Sequence, residues 1–514
     1  MNAAACLRGL DEAAVARLAE FIALKLRPGD AILLHGDLGL GKTTFARALI
    51  RSLLADPDAE VPSPTFGIVQ PYETPRMPLA HFDLYRLSGP DELEELGFRD
   101  AANDGAVLVE WPERAAAAMP PERLDVTLSP GTTPALRDVT LVATPDWQPR
   151  LDRVLALRAF TLASLPSTET LVSVAYLQGD ASPRAYARLL TSASRHVLMD
   201  APRMPDGPPI LRGLPYSRIA HLAEDVRPFV AIGNALEASG LTTPAIRAAD
   251  LDAGMVLLED LGDLTFGRAL AAGVPQGTLW SAAVDTLIQL RRTSLPDELP
   301  LPDGTTYRLP RFDRAALEIE VSLFLDWYWP EAVGSAADDA LRAGFMALWA
   351  PVIDGILAEP PGVFLRDFHS PNLFWLPERL PGAKVGVIDF QDALAESWPL
   401  DLVSLLQDAR IDVSQSIEQG ERERYMCEIA SSDRSFDRDR FLATYAAFGA
   451  QRNTRLIGLW VRLWRRDGKP GYLHHMARTW NYLERNLEHP ALAPLAAWFA
   501  AHVPTSARRR TWPT

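Results

Sequence analysis

Gly36-Asp37-Leu38-Gly39-Leu40-Gly41-Lys42-Thr43 constrains this chain more than any other stretch. It follows a short apolar run, Ala31-Ile32-Leu33-Leu34, and precedes a segment of helical character, Thr44 to Ile50. That order, buried strand then glycine-rich turn then helix, is the one a phosphate-binding loop requires. The glycines let backbone N–H groups turn inward, and the helix N-terminus adds partial positive charge. Lys42 reaches the terminal phosphates of a nucleotide and the Thr43 hydroxyl suits Mg²⁺. The expectation is therefore an α/β domain binding a nucleotide through residues 36–44, including Thr44.

Such a loop needs an acid near the metal. Val107-Leu108-Val109-Glu110 predicts a buried strand ending in a carboxylate, the position that sits beside a phosphate loop in a parallel sheet. Asp83, in His81-Phe82-Asp83-Leu84-Tyr85, is a second candidate. Gly36 to Thr44, Val61-Pro62-Ser63-Pro64-Thr65-Phe66, His81 to Leu87, Glu94-Glu95-Leu96-Gly97 and Val109-Glu110-Trp111-Pro112 together resemble the TsaE family of small P-loop ATPases. The resemblance covers most of residues 1–150. It implies ATP hydrolysis in support of threonylcarbamoyladenosine formation on tRNA, with TsaB- and TsaD-like protein partners and tRNA engaged indirectly. It further implies Thr43 and Glu110 on Mg²⁺, Lys42 on phosphate, Asp83 in hydrolysis, and a switch-like role for Ser63 and Thr65.

A chain of 514 residues exceeds one hydrophobic core. Arg137 to Ala143 predicts a last strand, and Thr144-Pro145-Asp146-Trp147-Gln148-Pro149 breaks regular structure. The expected boundary lies near residue 150, with a helix over Arg150 to Ala163 and a second domain over 151–514.

That second part carries Asp367-Phe368-His369-Ser370-Pro371-Asn372 after the apolar Val363-Phe364-Leu365, and then Val385-Gly386-Val387-Ile388-Asp389. Asp and Asn stand in the DxxxxN spacing of a kinase catalytic loop, and a buried strand then ends in the acid that holds metal. Asp367 is placed to take the proton of an acceptor hydroxyl, and Asn372 and Asp389 to hold Mg²⁺ on ATP. His369 is expected to pack or hydrogen-bond beside the loop rather than react. Met255 to Asp263 reads as the hinge between two lobes, with Glu259 and Leu261 at the nucleotide. Gln178 to Arg188 reads as the loop and strand over the phosphates. The following strand, His196-Val197-Leu198-Met199, has Met where a kinase carries its phosphate-binding lysine, and no lysine lies between Lys42 and Lys384. Arg184 and Arg188 are the substitutes expected, since guanidinium grips phosphate bidentately.

Residues from about 165 to 510 resemble the aminoglycoside phosphotransferase superfamily, an α+β protein-kinase-like fold with an N-lobe near 165–258 and a C-lobe near 263–510. Within it, Gly179-Asp180-Ala181-Ser182 with Arg184, Tyr186 and Arg188, Val197 to Pro202, Pro215 to Asp225, Leu257 to Gly262 and Arg466-Asp467-Gly468-Lys469-Pro470 are similar to the anomeric amino-sugar kinases of the AmgK type. The resemblance implies transfer of the ATP γ-phosphate to the anomeric hydroxyl of N-acetylmuramate or N-acetylglucosamine in cell-wall recycling. Two alternatives stand beside it: an antibiotic or other small-molecule kinase, or a non-catalytic module regulating the ATPase.

A net charge of −15 disfavours direct, non-specific binding of nucleic acid. The tail Arg508-Arg509-Arg510 is a basic exception, expected to be solvated. Two cysteines far apart, Cys6 and Cys427, give no disulfide framework. With no signal-peptide pattern and no uninterrupted apolar span, a soluble cytoplasmic protein is expected. Trp460, Trp464, Trp480 and Tyr482 recur at helical spacing and are expected to pack a core.

Overall fold

The computed structural model describes residues 4–513 apart from 65–66, 88–89, 178–183, 294, 360–361 and 397–398. Two compact units result, Met1–Pro202 with Ile246–Asp260, and Arg203–Ala245 with Leu261–Thr514.

In the first unit, β1 (Ala4–Leu10), β2 (Ala31–His35), β3 (Val69–Glu73), β4 (Pro78–Asp83), β5 (Ala106–Glu110), β6 (Leu124–Pro130) and β7 (Arg137–Ala143) form one sheet in the order β1-β7-β6-β2-β5-β4-β3. The central strands β6, β2, β5 and β4 run parallel, and the flanks are antiparallel. Ala31 to Leu34 and all of β5 are buried, which their unbroken apolar runs require of a strand covered on both faces. Around the sheet lie α1 (Glu12–Ala23), α2 (Lys42–Leu54), α3 (Pro90–Glu95), α4 (Phe98–Asp104) and α5 (Gln148–Ser164). Asp11 caps α1, its Oδ1 accepting from Ala14 N–H at 2.8 Å.

The chain continues into a second, antiparallel sheet of five strands. It contains β8 (Leu171–Leu177), β9 (Ala185–Thr191), β10 (Arg195–Asp200) and the strands Met255–Glu259 and Ile246–Asp250, with β8 at one edge. The two sheets share a core. Val15, Leu18, Phe45, Leu49, Trp147 and Leu151 belong to the same buried cluster as Leu171, Val174, Leu189 and Leu198. Each such fully buried Leu or Val contributes about 1.5–3 kcal/mol. Polar contacts seal the junction. Arg153 donates to Asp200 at 2.6 and 2.9 Å, and Lys25 pairs with the same carboxylate. Arg76 donates to the carbonyls of Ala23, Leu24 and Leu26 at and just beyond the end of α1, and lies 4.6 Å over the Tyr176 ring.

Glu20 on α1 accepts from Val174 N–H of β8 at 2.7 Å and from Arg17. Burial pushes its carboxyl up to about 7, and Arg17 and the Val174 N–H offset only part of that. An acid raised on folding stabilises the fold below its unfolded value near 4.5, and that contribution is lost as pH rises through about 7. The melting temperature of Glu20→Gln relative to wild type should therefore climb across this window. Parallel melting curves over the same pH range would contradict the assignment.

The second unit is mainly helical. The antiparallel pair Gly362–Phe364 with Leu394–Glu396, and the hairpin Leu373–Trp375 with Val385–Val387 between them in sequence, frame its loops. The helix Arg438–Asp467 runs 30 residues through its middle. Trp460, Trp480 and Tyr482 are buried, and Trp480 packs in an aromatic cluster with Phe324, Tyr328 and Phe499. Trp464 is half-buried and stacks under Arg465 at 3.7 Å. In the basic tail Arg509 and Arg510 are exposed and Arg508 is half-buried. Arg508 donates to the carbonyls of Val503 and Phe499, and Arg509 pairs with Glu484, because a helix end leaves acceptors for them. Among the described residues one helix, Asp339–Leu357, has the length and mean hydropathy (1.4) of a bilayer span. Its Phe345, Trp349, Ile353 and Ile356 are buried in this unit, and Asp354 pairs with Arg314.

Candidate active sites

The first site forms where β2 ends. Gly36, Gly39 and Gly41 have φ of 131°, 77° and 100°, a region closed to most side chains. A Cβ on Gly36 would meet the Leu128 carbonyl oxygen at 2.5 Å, so the close approach of β6 also demands glycine there. Asp37, Leu38 and Leu40 complete the turn, Leu38 largely exposed, and α2 begins at Lys42 with Thr43 and Thr44 in its first turn.

Lys42 Nζ donates to Gly36 O at 2.7 Å and Asp37 O at 3.1 Å, and lies 3.6 Å from the Trp111 ring centroid. Burial pushes its pKa down, and the carboxylates of Glu110, Glu113, Asp83 and Asp37 oppose that. Thr43 Oγ1 donates to Glu110 Oε2 at 3.1 Å, and Glu110 Oε1 lies 3.1 Å from Nε2 of the fully buried His81. The register of β4 on β5 puts Asp83 opposite Glu110. Asp83 is buried, its N–H donating to Ile68 O at 2.9 Å and its Oδ1 accepting from Tyr85 N–H at 3.1 Å. Ser63 lies half-buried in the segment between α2 and β3 that leads to Ile68, and Thr65 lies outside the described residues. Lys42, Thr43, Glu110 and Asp83 thus converge. The sequence did not single out His81 or Trp111 for a role, although both stand inside quoted motifs.

The kinase-like residues divide between the two units. In the first, Arg184 immediately precedes β9, and Arg188 on β9 faces Val197 of β10. Arg188 Nε lies 2.8 Å from Asp260 Oδ2, an acid that sequence reasoning passed over. Met199 is buried in β10, where the usual lysine would stand. Glu259 ends the strand Met255–Glu259, opposite His196, and Leu261 opens the second unit.

In the second unit the strand Gly362–Phe364 leads into the catalytic loop. Asp401 accepts from Leu365 N–H at 2.7 Å and Arg366 N–H at 3.0 Å, and burial pushes its carboxyl up to about 7 against those two donors. Arg366 donates to Glu320 and to Ala220 O. Its φ of 73° is a left-handed conformation that this buried network holds. Asp367 is a quarter exposed, with His369 Nε2 3.7 Å from Oδ1. Burial pushes the Asp367 carboxyl up, but neighbouring His369, with the charges of Arg455 and Arg366, outweighs it and holds the group well below the carboxylate range. His369 also meets Arg410 Nη1 at 3.2 Å.

Asn372 Nδ2 donates to Asp367 O at 3.0 Å and lies 3.4 Å from Asp389 Oδ2. Ile388 N–H donates to Asn372 O, which ties the two metal-side residues together. Asp389 has φ of 61°, and Gln391 Nε2 donates to its Oδ1 at 2.9 Å. Asp367, Asn372 and Asp389 therefore lie together in the second unit. Among the described residues no group of three or more His, Cys, Asp or Glu could hold a metal. Both loops instead offer mixed hydroxyl, amide and carboxylate oxygens, the chemistry of a hard ion shared with phosphates.

Residues 10–137 match the family model "Threonylcarbamoyl adenosine biosynthesis protein TsaE", and residues 173–442, just over half the chain, match "Phosphotransferase enzyme family". An N-acetylmuramate/N-acetylglucosamine kinase of Caulobacter vibrioides is 40% identical over 342 residues, covering 65% of this chain and 93% of that protein. Its counterpart in Pseudomonas putida is 32% identical over 331 residues, covering 64% and 88%. The tRNA threonylcarbamoyladenosine biosynthesis protein TsaE of Rickettsia prowazekii is 40% identical over 110 residues, covering 21% and 76%.

Proposed function

We propose, for a chain that belongs to both the TsaE family and the phosphotransferase enzyme family, a cytoplasmic bifunctional enzyme that uses ATP at two sites. An ATPase over 1–150 serves threonylcarbamoyladenosine formation on tRNA, and a kinase over 151–514 phosphorylates the anomeric hydroxyl of N-acetylmuramate or N-acetylglucosamine. The kinase lobes are near 165–258 and 263–510. The observation that supports this reading is the grouping of Thr43 with Glu110 behind the glycine-rich turn, and of Asn372 with the Asp367 carbonyl and Asp389 in the second unit.

Mg²⁺ would be held by Thr43 and Glu110 at one site and by Asn372 and Asp389 at the other, and it neutralises phosphate charge when bound. His81 fixes the Glu110 carboxylate from behind, and Gln391 does the same for Asp389. Lys42 neutralises the terminal phosphate, and Asp83, beside Glu110, serves hydrolysis. Ser63 and Thr65 carry the nucleotide-dependent switch. TsaB- and TsaD-like proteins supply the surface for tRNA, which a chain of net charge −15 binds only indirectly.

At the kinase site Asp367 takes the acceptor proton. Its depressed pKa keeps it ionised, and proton transfer follows as the hydroxyl gains acidity in the transition state. Glu259 and Leu261 present backbone to the adenine. Arg184 and Arg188 replace the missing lysine, with Asp260 orienting Arg188. The test uses the full chain, radiolabelled ATP, and a panel of N-acetylmuramate, N-acetylglucosamine and kanamycin-like compounds. Sugar-1-phosphate is expected from the first two. Arg184→Ala and Arg188→Ala should each lower kcat on the order of a hundredfold, the scale of a lost charge-stabilising donor. Full activity in both variants sinks the arginine assignment. Phosphorylation of kanamycin alone sinks the substrate.

A further inference from the structure

The Arg466-Asp467-Gly468-Lys469-Pro470 run ends the helix Arg438–Asp467, and no step above uses it. Much of this helix is buried as far as Val461, with Arg452 among the buried residues. Along the same helix a half-exposed stripe emerges. Arg455, Leu459, Arg462 and Arg466 follow one another at spacings of four, three and four, which places them on one face. Exposure rises outward along it, from 16% for the Arg455 side chain to 51% for that of Arg466.

The stripe starts beside the catalytic loop, where Arg455 lies 3.6 Å from Glu320, the carboxylate to which Arg366, next to Asp367, donates. The charges of Arg455 and Arg366 act on Asp367, and Arg455 also feels Tyr216 and Asp392. Arg462 stands seven residues further on, about 10 Å along the axis, and its guanidinium lies 4.8 Å over the ring of the same Tyr216. Tyr216 therefore lies under Arg462 and within the electrostatic reach of Arg455, on the face that runs outward from the catalytic loop.

The arginines differ in their partners. Arg455 lies 3.6 Å from Glu320, and Arg466 donates to Asp467 at 2.6 and 2.9 Å. Among the described residues no carboxylate lies within ion-pair distance of Arg462. Burial pushes its pKa down and neighbouring Arg466 pushes the same way, while Tyr216 and the more distant Asp467 oppose them in part. A half-buried guanidinium over an aromatic face, with no carboxylate at ion-pair distance, is free to take one from a ligand. Its planar fork fits a carboxylate bidentately.

We propose that Arg462, braced by Tyr216, binds the carboxylate of the acceptor and makes this kinase selective for an acidic amino sugar over its neutral counterpart. The proposal rests on the amino-sugar kinase reading. N-acetylmuramate carries an acid side arm on its ring and N-acetylglucosamine does not. With the anomeric hydroxyl at Asp367, the ring spans this face and the acid arm reaches Arg462. The same face repels the ammonium groups of an aminoglycoside.

The experiment measures kcat/KM for both sugars with the full chain as wild type, Arg462→Ala and Arg462→Lys. Calorimetric titration of each protein with each sugar runs beside it. A charge-assisted hydrogen bond contributes roughly tenfold or more in affinity. The ratio of kcat/KM for N-acetylmuramate over N-acetylglucosamine should fall by about that factor in Arg462→Ala, through KM. Arg462→Lys should recover part of it. An unchanged ratio, with both sugars affected equally or not at all, overturns the proposal. Should wild type phosphorylate neither sugar, the kinase reading fails. The titrations then decide the carboxylate site alone, upheld by weaker N-acetylmuramate binding in Arg462→Ala and overturned by equal binding.

Discussion

Lys42→Ala should reduce ATP hydrolysis at the N-terminal site by two to three orders of magnitude, the scale of other lost transition-state charge donors. The side chain lies at the mouth of the loop, held by two of its carbonyls and by the face of Trp111. A bound phosphate offers full negative charge in place of those partial ones. Alanine leaves the strand, turn and helix intact, because the glycine conformations and the packing of α2 do not depend on the ammonium. The loss should therefore appear in turnover with little change in melting temperature. Phosphate release is measured without sugar and in an Asp367→Asn background, so that the second site adds no signal. Turnover within twofold of the control would remove Lys42 from the site.

Asp367→Asn should abolish phosphoryl transfer to sugar, by about 100- to 10,000-fold, the range of a general base. Nucleotide binding should survive. Asp367 contributes its main-chain oxygen to Asn372, and that contact is independent of the side chain. Asp389 and Asn372 stay paired through the Leu373–Trp375 hairpin. Binding is measured with a fluorescent nucleotide in a Lys42→Ala background, which leaves one functional site. Asp389→Asn should weaken Mg·ATP binding at least tenfold while Asp367→Asn stays within about twofold. Equal weakening by both would reverse the assigned roles.

The chemistry legible in the sequence was the contiguous kind. A phosphate loop needs its strand, glycines, lysine and helix in unbroken order, and residues 31–50 supply them. The Asp367–Asn372 spacing is likewise local, and the hairpin that carries Asn372 toward Asp389 is short enough to follow from the chain. What escaped depends on strand register or on distance in sequence. His81 reaches Glu110 only because β4 lies in register on β5. Asp260 meets Arg188 across 72 positions, and Glu20 meets Val174 across 154. No periodicity within α1 or β8 announces that each is the other's cover. In the basic tail only Arg508 is half-buried, held by the carbonyls of Val503 and Phe499 at the end of the preceding helix, a local contact that three adjacent arginines do not announce. Arg462 was hidden among core tryptophans, and only its half-exposed face, with Tyr216 beneath, separates it from them.

Two independent ATP-using centres in one chain are the central claim, and one measurement addresses it directly. The full chain is incubated with radiolabelled ATP and N-acetylmuramate, and free phosphate and sugar phosphate are quantified together for wild type, Lys42→Ala and Asp367→Asn. Wild type should form both products, Lys42→Ala sugar phosphate with little free phosphate, and Asp367→Asn the reverse. Loss of both products in either variant, or sugar phosphate that persists in Asp367→Asn, would contradict the account.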